Sequence, residues 1–182
     1  KHILKKILFM RKLYSCVGLL LFSFLAFAQT TATVDQANEQ AESILNQNPK
    51  ESMAAASAAK NTAENIDYKK GQARALAIMG VASYKVDDYA KAKILINQAA
   101  TLSEKIADSS NLSFSKYWLG NIELSNGQYG KALDLYQSAL LIAQSINDKR
   151  NIARSLDGKA TIYESLNEDE KALEFYNQSL AT

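Results

Sequence analysis

The sequence predicts an all-α protein in which pairs of antiparallel helices stack into a solenoid. The first observation is a repeat of 40 residues, which is clearest around the stretch from Gly120 to Leu140 and in the dipeptide Lys-Ala, found at three equivalent places. A fixed period of this size indicates stacked supersecondary units instead of one closed globule. The second observation is that small or apolar residues recur in fixed columns. These columns hold Gly80, Gly120 and Ala160; Ala92, Ala132 and Ala172; Ile96, Tyr136 and Tyr176; and Ala99, Ala139 and Ser179.

The spacing within each repeat indicates which faces of the helices meet. Ala132, Tyr136 and Ala139 are separated by four and three residues, so they lie on one face of a helix. The small residue at Gly120 would let a second helix approach that face closely. Between the two, an Asn-Gly sequence ending at Gly127 is a turn signal with a permissive backbone. Each unit is therefore a helix, a short turn and a second helix.

The pattern G-x(8)-Y-x-x-A-x(3)-Y-x-x-A resembles the tetratricopeptide repeat, or TPR, in its 40-residue form. The resemblance covers residues 67–182 well and residues 33–66 weakly. It implies a right-handed α-solenoid of about three to four repeats, in which the first helix of each repeat lines a concave groove. It also implies a scaffold that binds a protein or peptide. The closing proline of the family's pattern is absent here, so the resemblance implies no specialised subtype.

Residues 1–29 have the features of a secretory signal peptide. A basic segment ends at Lys12, and an apolar run follows from Val17 to an Ala-x-Ala sequence at Ala28. That run is shorter than the roughly 20 apolar residues of a transmembrane helix. The sequence therefore predicts an exported protein, periplasmic or secreted, that contacts a membrane only if the signal remains uncleaved. Met10 begins a complete signal peptide by itself and is a candidate for the true start.

The rest of the chain is expected to form four helix pairs. Residues 30–33 are predicted to be a linker, and residues 34–66 a degenerate N-terminal pair. Its first helix is expected over Val34 to Gln47 and ends before Pro49, because the residue preceding a proline avoids the helical region. In the 40-residue register the sequence stops inside its last helix, which leaves a truncated chain and a short complete protein as alternatives. The three further repeats are expected at about 69–107, 109–147 and 148–182, with helices near 70–86 and 88–107, 110–126 and 128–147, and 149–167 and 168–182.

Composition argues against several classes of function. Five of the 21 Lys and Arg residues precede residue 30, so 16 basic residues face 19 acidic ones in the remainder, a net charge of −3. Nucleic-acid binding depends on clustered Lys and Arg and is therefore not expected. The single cysteine, Cys16, and the single histidine, His2, also precede residue 30. The remainder has no thiol or imidazole for catalysis or zinc binding, so we expect no enzyme, metal or cofactor.

The candidate binding surface is the concave groove that the resemblance implies. Arginine and aromatic side chains most often anchor interfaces. Phe114 and Tyr117, flanked by Arg74 and Arg154, would suit an extended or helical peptide with apolar anchors and an acid. The alternative is that Phe114, Tyr117 and Trp118 only fill space between adjacent repeats. The candidate groove residues are Arg74, Tyr84, Phe114, Tyr117, Asn121, Leu124, Arg154 and Asp157.

Three alternatives to a scaffold of this kind remain. A signal peptide followed by 40-residue TPRs is similar to the extracytoplasmic N-terminal region of bacterial sensor kinases and regulators. An exposed apolar face at Phe175, Tyr176 and Leu180 would permit a homo-oligomer formed by stacking. An enzyme that uses the solenoid as a scaffold is disfavoured by the missing histidine and cysteine. The sequence does not identify the partner.

Overall fold

The computed structural model describes residues 30–182, which form eight helices and no strand. The predicted signal peptide, residues 1–29, lies outside the described residues. No helix in the described part of the chain combines the length and the apolar character that a membrane crossing requires. The first helix, α1, covers residues 30–43. The others are α2 (Pro49–Asn65), α3 (Lys69–Lys85), α4 (Tyr89–Lys105), α5 (Ser109–Ser125), α6 (Tyr129–Ser145), α7 (Lys149–Ser165) and α8 (Asp169–Leu180).

The helices follow one another with a regularity finer than the 40-residue repeat. Each of α2 to α7 contains 17 residues, and three residues separate each helix from the next. One residue in every such turn has a positive φ, the left-handed conformation that commonly ends a helix. Asn, Asp and Gly adopt it at the lowest cost, and Ala107 is the one exception among these turns. The turn residues with positive φ are Asp67, Asp87, Ala107, Gly127, Asn147 and Asn167.

The helices form two layers. Helix α3 contacts α5, and α5 contacts α7, whereas α4 and α6 do not meet within residues 30–182. Each of these helices also packs against its neighbours in sequence, and the three-residue turns make those neighbours antiparallel. The odd-numbered helices therefore form an inner layer and the even-numbered helices an outer one. This arrangement confirms the predicted all-α solenoid.

Small residues allow the close helix contacts that the sequence predicts. A Cβ added to Gly80 would lie 2.4 Å from a side-chain carbon of Ile96, and one added to Gly120 would lie 2.6 Å from the ring of Tyr136. Tyr136 is fully buried. Gly158 of α7 meets the same ring, at 2.7 Å from an added Cβ, although its column was not singled out in the sequence. One tyrosine therefore joins three successive helices.

Two predicted boundaries near the N-terminus are wrong. Residues 30–33, expected as a linker, are helical and continue into α1. Their threonines suggested an irregular polar segment, and this turn is indeed largely exposed, but Val34 follows directly, is only 1% exposed and anchors the start of the helix. At the other end, α1 stops at residue 43 instead of Gln47. A turn occupies residues 44–47, and the side chain of Asn48 then caps α2 by accepting from the backbone N–H of Glu51.

Candidate binding groove

A cleft runs along the inner layer of helices. It consists of two cavities of about 540 and 640 Å³ that share the side chains of Glu39, Glu42, Arg150 and Arg154. The first cavity is lined by polar and charged residues from α1, α3, α5 and α7 and from the turns before α5 and α7. The second has an apolar wall of Leu45, Phe114 and Trp118. The cleft thus offers charged groups and an aromatic surface side by side.

Arg74, Phe114 and Arg154 occupy equivalent positions in α3, α5 and α7 and lie together in the structure. The Cζ atom of Arg74 is 4.2 Å from the centroid of the Phe114 ring, and that of Arg154 is 5.1 Å from it. Both distances are within the range of cation–π attraction. Phe114 lines the second cavity but is only 1% exposed, so its part in binding stays a prediction. The two guanidinium groups and the neighbouring helices cover the ring, which forms the floor beneath them.

A single carboxylate bridges the two arginines. Glu42, in the last turn of α1, forms an ion pair with Arg74 through Oε2 and another with Arg154 through Oε1, the latter at 3.4 Å. The side chains of all three are largely shielded from solvent, with Glu42 18% exposed. Sequence reasoning missed Glu42, because it does not stand in the column of the arginines: its equivalents in α3, α5 and α7 are Ala82, Ile122 and Ile162.

Burial and charge act in opposite directions on this carboxylate. Burial alone would raise the pKa of Glu42, but the charges and hydrogen bonds of Arg74 and Arg154 outweigh it, so the pKa is lowered from its usual 4.5. Burial lowers the pKa of Arg154, and Glu42 opposes that change. At neutral pH, Glu42 is therefore ionised, and the three side chains together carry one net positive charge.

Arg74 is also held by the first turn of α5. Its Nη1 donates to Oδ1 of Asn111 at 3.3 Å. The amide nitrogen of Asn111 donates in turn to Asp108 at 2.7 Å, and the same carboxylate caps α5 by accepting from the backbone N–H of Asn111. Because the amide nitrogen is committed to Asp108, the amide oxygen is left to face the arginine.

The first turn of α7 repeats this arrangement for Arg154. Nη1 of Arg154 donates to Oδ1 of Asn151 at 3.3 Å, and the amide nitrogen of Asn151 donates to Asp148 at 2.9 Å. The spacing Asp-x-x-Asn at the start of both helices is the sequence signal for this support. Neither asparagine was predicted, because Asn111 and Asn151 do not belong to the columns of small or apolar residues that define the repeat.

The aromatic candidates cluster around Trp118. Ring centroids of Tyr84, Phe114 and Tyr117 lie 5.5, 6.2 and 5.4 Å from that of Trp118. The hydroxyl of Tyr84 is 2.9 Å from Oγ of Ser125 in the next inner helix. Tyr84 thus connects α3 with α5, whereas the ring of Tyr117 also lies 5.6 Å from that of Tyr136 on α6. The part of both tyrosines in binding stays a prediction.

The remaining three candidates lie apart from the arginine pair. Asn121 accepts from the hydroxyl of Tyr136 at 3.1 Å, and its amide donates to the backbone oxygen of Tyr117 at 3.2 Å. Leu124 packs in the apolar cluster that includes Tyr136. Asp157 is exposed on α7 and lines neither cavity. Asn121 and Leu124 therefore act first as packing groups, and binding by these three residues stays a prediction.

Comparison with known proteins supports the predicted family. Residues 112–182 match the family model described as the tetratricopeptide repeat. No curated protein matches the sequence. Because the solved structures described next are all less than 25% identical to this chain, their likeness shows the fold alone.

Three solved structures share this fold. Aspartyl phosphate phosphatase F from Bacillus subtilis has 17% identity and a TM-score of 0.69, over 82% of this chain and 40% of that one. A Rap protein complexed with competence and sporulation factor has 19% identity and a TM-score of 0.71, over 82% and 43%. BtubC from P. vanneervenii has 14% identity and a TM-score of 0.57, over 86% and 73%. The chain spans about two fifths of the length of the first two. Residues 112–182 are therefore tetratricopeptide repeats, and they belong to an α-solenoid whose preceding helices continue the same fold.

Proposed function

We propose that this protein is an exported, non-enzymatic scaffold that binds a protein or peptide partner along its inner helices. The observation that carries the proposal is the cleft itself. It is lined by four helices and presents two arginines, fixed by asparagines, beside an apolar wall that contains Trp118. Arginine and tryptophan are the residues that most often dominate binding energy at interfaces.

The structural neighbours support partner binding without identifying the partner. One of them, a Rap protein, is complexed with competence and sporulation factor, so a solenoid of this fold can hold a second molecule. Another is named as a phosphatase, but this chain spans only 40% of its length. The proposal of a non-enzymatic role rests on the sequence, which has no histidine or cysteine after residue 29. Among residues 30–182, no group of three or more His, Cys, Asp or Glu side chains is placed to hold a metal ion.

Partner binding is tested by selecting 12-residue peptides from a random phage library on the purified protein. The affinity of a selected peptide is then measured for two charge-reversed variants. Arg150→Glu changes an exposed residue that lines both cavities, and Lys105→Glu changes an exposed residue of the outer helix α4. We expect Arg150→Glu to weaken binding at least about tenfold and Lys105→Glu to leave it unchanged, because an arginine that anchors an interface contributes about 2 kcal/mol or more and about 1.4 kcal/mol corresponds to tenfold. Equal effects of the two variants would place the binding surface elsewhere.

Export rests on the predicted signal peptide. N-terminal sequencing of the protein recovered outside the cytoplasm is expected to begin at Gln29, directly after the Ala-x-Ala sequence that ends at Ala28. Recovery of the uncleaved chain with the membrane fraction would favour an anchor instead.

Two other non-enzymatic roles are alternatives. The chain could be the sensor portion of a longer signalling protein, either a histidine kinase or a transcriptional regulator, or it could be a self-assembly module. Exposed Leu173 and Leu180 on α8, at 61% and 86%, favour self-assembly. Light scattering over a range of concentrations separates it from groove binding. A mass that rises with concentration supports stacking of copies, and a constant monomer mass excludes it.

A further inference from the structure

We infer that Arg74 and Arg154 form a binding site for a peptide carboxylate, and that Glu42 of α1 fills this site in the structure as an internal competitor. The inference rests on the proposed function, because it concerns the same groove. It adds the chemical class of the partner, an acidic peptide, and a device that limits its binding. An incoming carboxylate would take the place of Glu42 between the two guanidinium groups.

The arginine pair is built by parts of the molecule other than Glu42. Asn111 and Asn151 accept hydrogen bonds from the two guanidinium groups, and the buried ring of Phe114 lies beneath both. Both asparagines are themselves nearly fully buried, at 5% and 4% exposed. These groups therefore hold the two arginines in place together with the carboxylate that bridges them.

The pair needs an anion. Within the described residues, Glu42 is the only acidic side chain that forms an ion pair with Arg74 or Arg154. Two partly buried guanidinium groups without a counter-charge would repel each other and would lack solvation. The planar guanidinium group also suits a carboxylate better than a spherical anion, because it donates two parallel hydrogen bonds.

Glu42 can leave this site without unfolding the helix that carries it. Helix α1 is held to the solenoid at other points: the amide of Asn38 donates to the backbone oxygen of Gly71 at 3.0 Å, and the hydroxyl of Ser52 donates to that of Ala41 at 2.7 Å. The side chain of Glu42 borders both cavities. Rotation about its own side-chain bonds can therefore move the carboxylate into open space while α1 stays in place.

The cleft also indicates what lies next to the ligand's acid. Leu45 and Trp118 form the apolar wall of the cavity that contains Arg154. By contrast, Asp35, Asp108 and Asp148 line only the polar cavity, where they would repel a second acidic residue. The preferred ligand is therefore a peptide with one acidic residue flanked by apolar ones.

The test uses an acetylated and amidated peptide of sequence Gly-Leu-Glu-Leu-Gly, whose only charge is the glutamate side chain. Its binding to the ¹⁵N-labelled protein is followed by NMR chemical-shift titration. We expect Glu42→Gln to bind this peptide at least about tenfold more tightly than the wild type, because a competitor that fills a site nine-tenths of the time lowers apparent affinity about tenfold. Glu39→Gln is the matched control: Glu39 lies three residues earlier on α1 and lines the same two cavities. That control removes the same charge but should raise the affinity far less than Glu42→Gln does, because Glu39 forms no ion pair with either arginine.

Two further measurements make the result specific. First, the Glu42→Gln protein should bind a peptide with glutamine in place of glutamate at least about tenfold more weakly than it binds the glutamate peptide. Second, a protein that carries both Glu42→Gln and Arg154→Gln should bind the two peptides equally. If Glu42→Gln does not fold by circular dichroism, Glu42→Asp replaces it. That variant shortens the competitor by one methylene and must still raise the affinity.

The inference is overturned if removal of the Glu42 carboxylate leaves affinity unchanged, or if the glutamine peptide binds equally well. The proposed function can survive that result. Peptides selected from the library would then still lose affinity for Arg150→Glu, which shows groove binding that does not depend on the arginine pair. If those peptides are also insensitive to Arg150→Glu, both the inference and the groove proposal fail.

Discussion

Replacement of Gly158 by alanine is expected to destabilise the protein, although alanine is the better helix former. In an exposed helix interior the change gains about 1 kcal/mol. Gly158 is buried in α7, and an added Cβ would lie 2.7 Å from two carbons of the Tyr136 ring, closer than real contacts of this kind. The ring has little freedom to retreat, because Gly120 of α5 is equally close to it.

The magnitude follows from three contributions. Overpacking of a well-filled core costs about 1–3 kcal/mol. A shift of the ring also weakens the hydrogen bond from the Tyr136 hydroxyl to Asn121, at 3.1 Å, which contributes about 1 kcal/mol. The gain in helix propensity, about 1 kcal/mol, offsets roughly the last of these. Gly158→Ala should therefore lower the free energy of unfolding by about 1–3 kcal/mol.

Gly130→Ala is the matched control, because the same substitution occurs in α6 where no atom lies within 4 Å of an added Cβ. It should raise the free energy of unfolding by up to about 1 kcal/mol. Both values come from urea unfolding followed by circular dichroism at 222 nm. In a Tyr136→Leu background, where the ring is gone, Gly158→Ala should lose most of its cost. The packing argument is refuted if Gly158→Ala is as stable as the wild type or more stable.

Three other predictions concern packing, a turn and an ionisable group. Ala132 is fully buried on α6, so Ala132→Leu should lower the free energy of unfolding by about 1–3 kcal/mol in the same urea experiment. An unfolding curve like that of the wild type would count against the predicted register. Ala107→Gly should raise stability by about 0.5–1 kcal/mol, because it relieves a left-handed alanine at φ 56° and loses part of that gain to chain entropy. Burial, and then the hydrogen bond to Asp35, raise the pKa of Tyr68 from 10.0 to about 12. Folding therefore favours the neutral form of Tyr68. The resulting contribution of Tyr68 to the free energy of unfolding is complete below pH 10 and is lost as the pH rises towards 12. Tyr68→Phe should show a smaller loss of melting temperature across that interval.

The periodic part of the structure follows from local sequence features. The ends of α3 to α8 lie within two residues of their predicted positions, because turn residues such as Asn126 and Gly127 and the small-residue columns mark them directly. The 20-residue half-repeat was not visible, since inner and outer helices bury different residue types. Gly80 on α3 and Ala92 on α4, for example, face each other but belong to different columns.

The candidate site was predicted only in part. A shared column placed Arg74, Phe114 and Arg154 near one another, and the structure confirms that proximity. The shared column does not determine which of the three side chains remains exposed. Their exposure depends on the way in which the two arginine side chains lie across the ring. The arginines extend over Phe114 and shield its ring from solvent. The exposure of a side chain therefore cannot be predicted from the sequence repeat alone.

The bridge by Glu42 depends on a still longer-range feature. The carboxylate of Glu42 and the guanidinium of Arg154 are 112 residues apart in sequence, and they meet because helices α1 and α7 border one cavity. Whether they do so is set by the small rotation between successive repeats, which accumulates over the solenoid. That rotation arises from many contacts such as the one between Gly120 and Tyr136. A change in outer-layer packing should therefore alter the fit of Glu42 between the arginines without touching any of the three residues, and in this way the packing of the repeats would tune the charge that the groove presents to a partner.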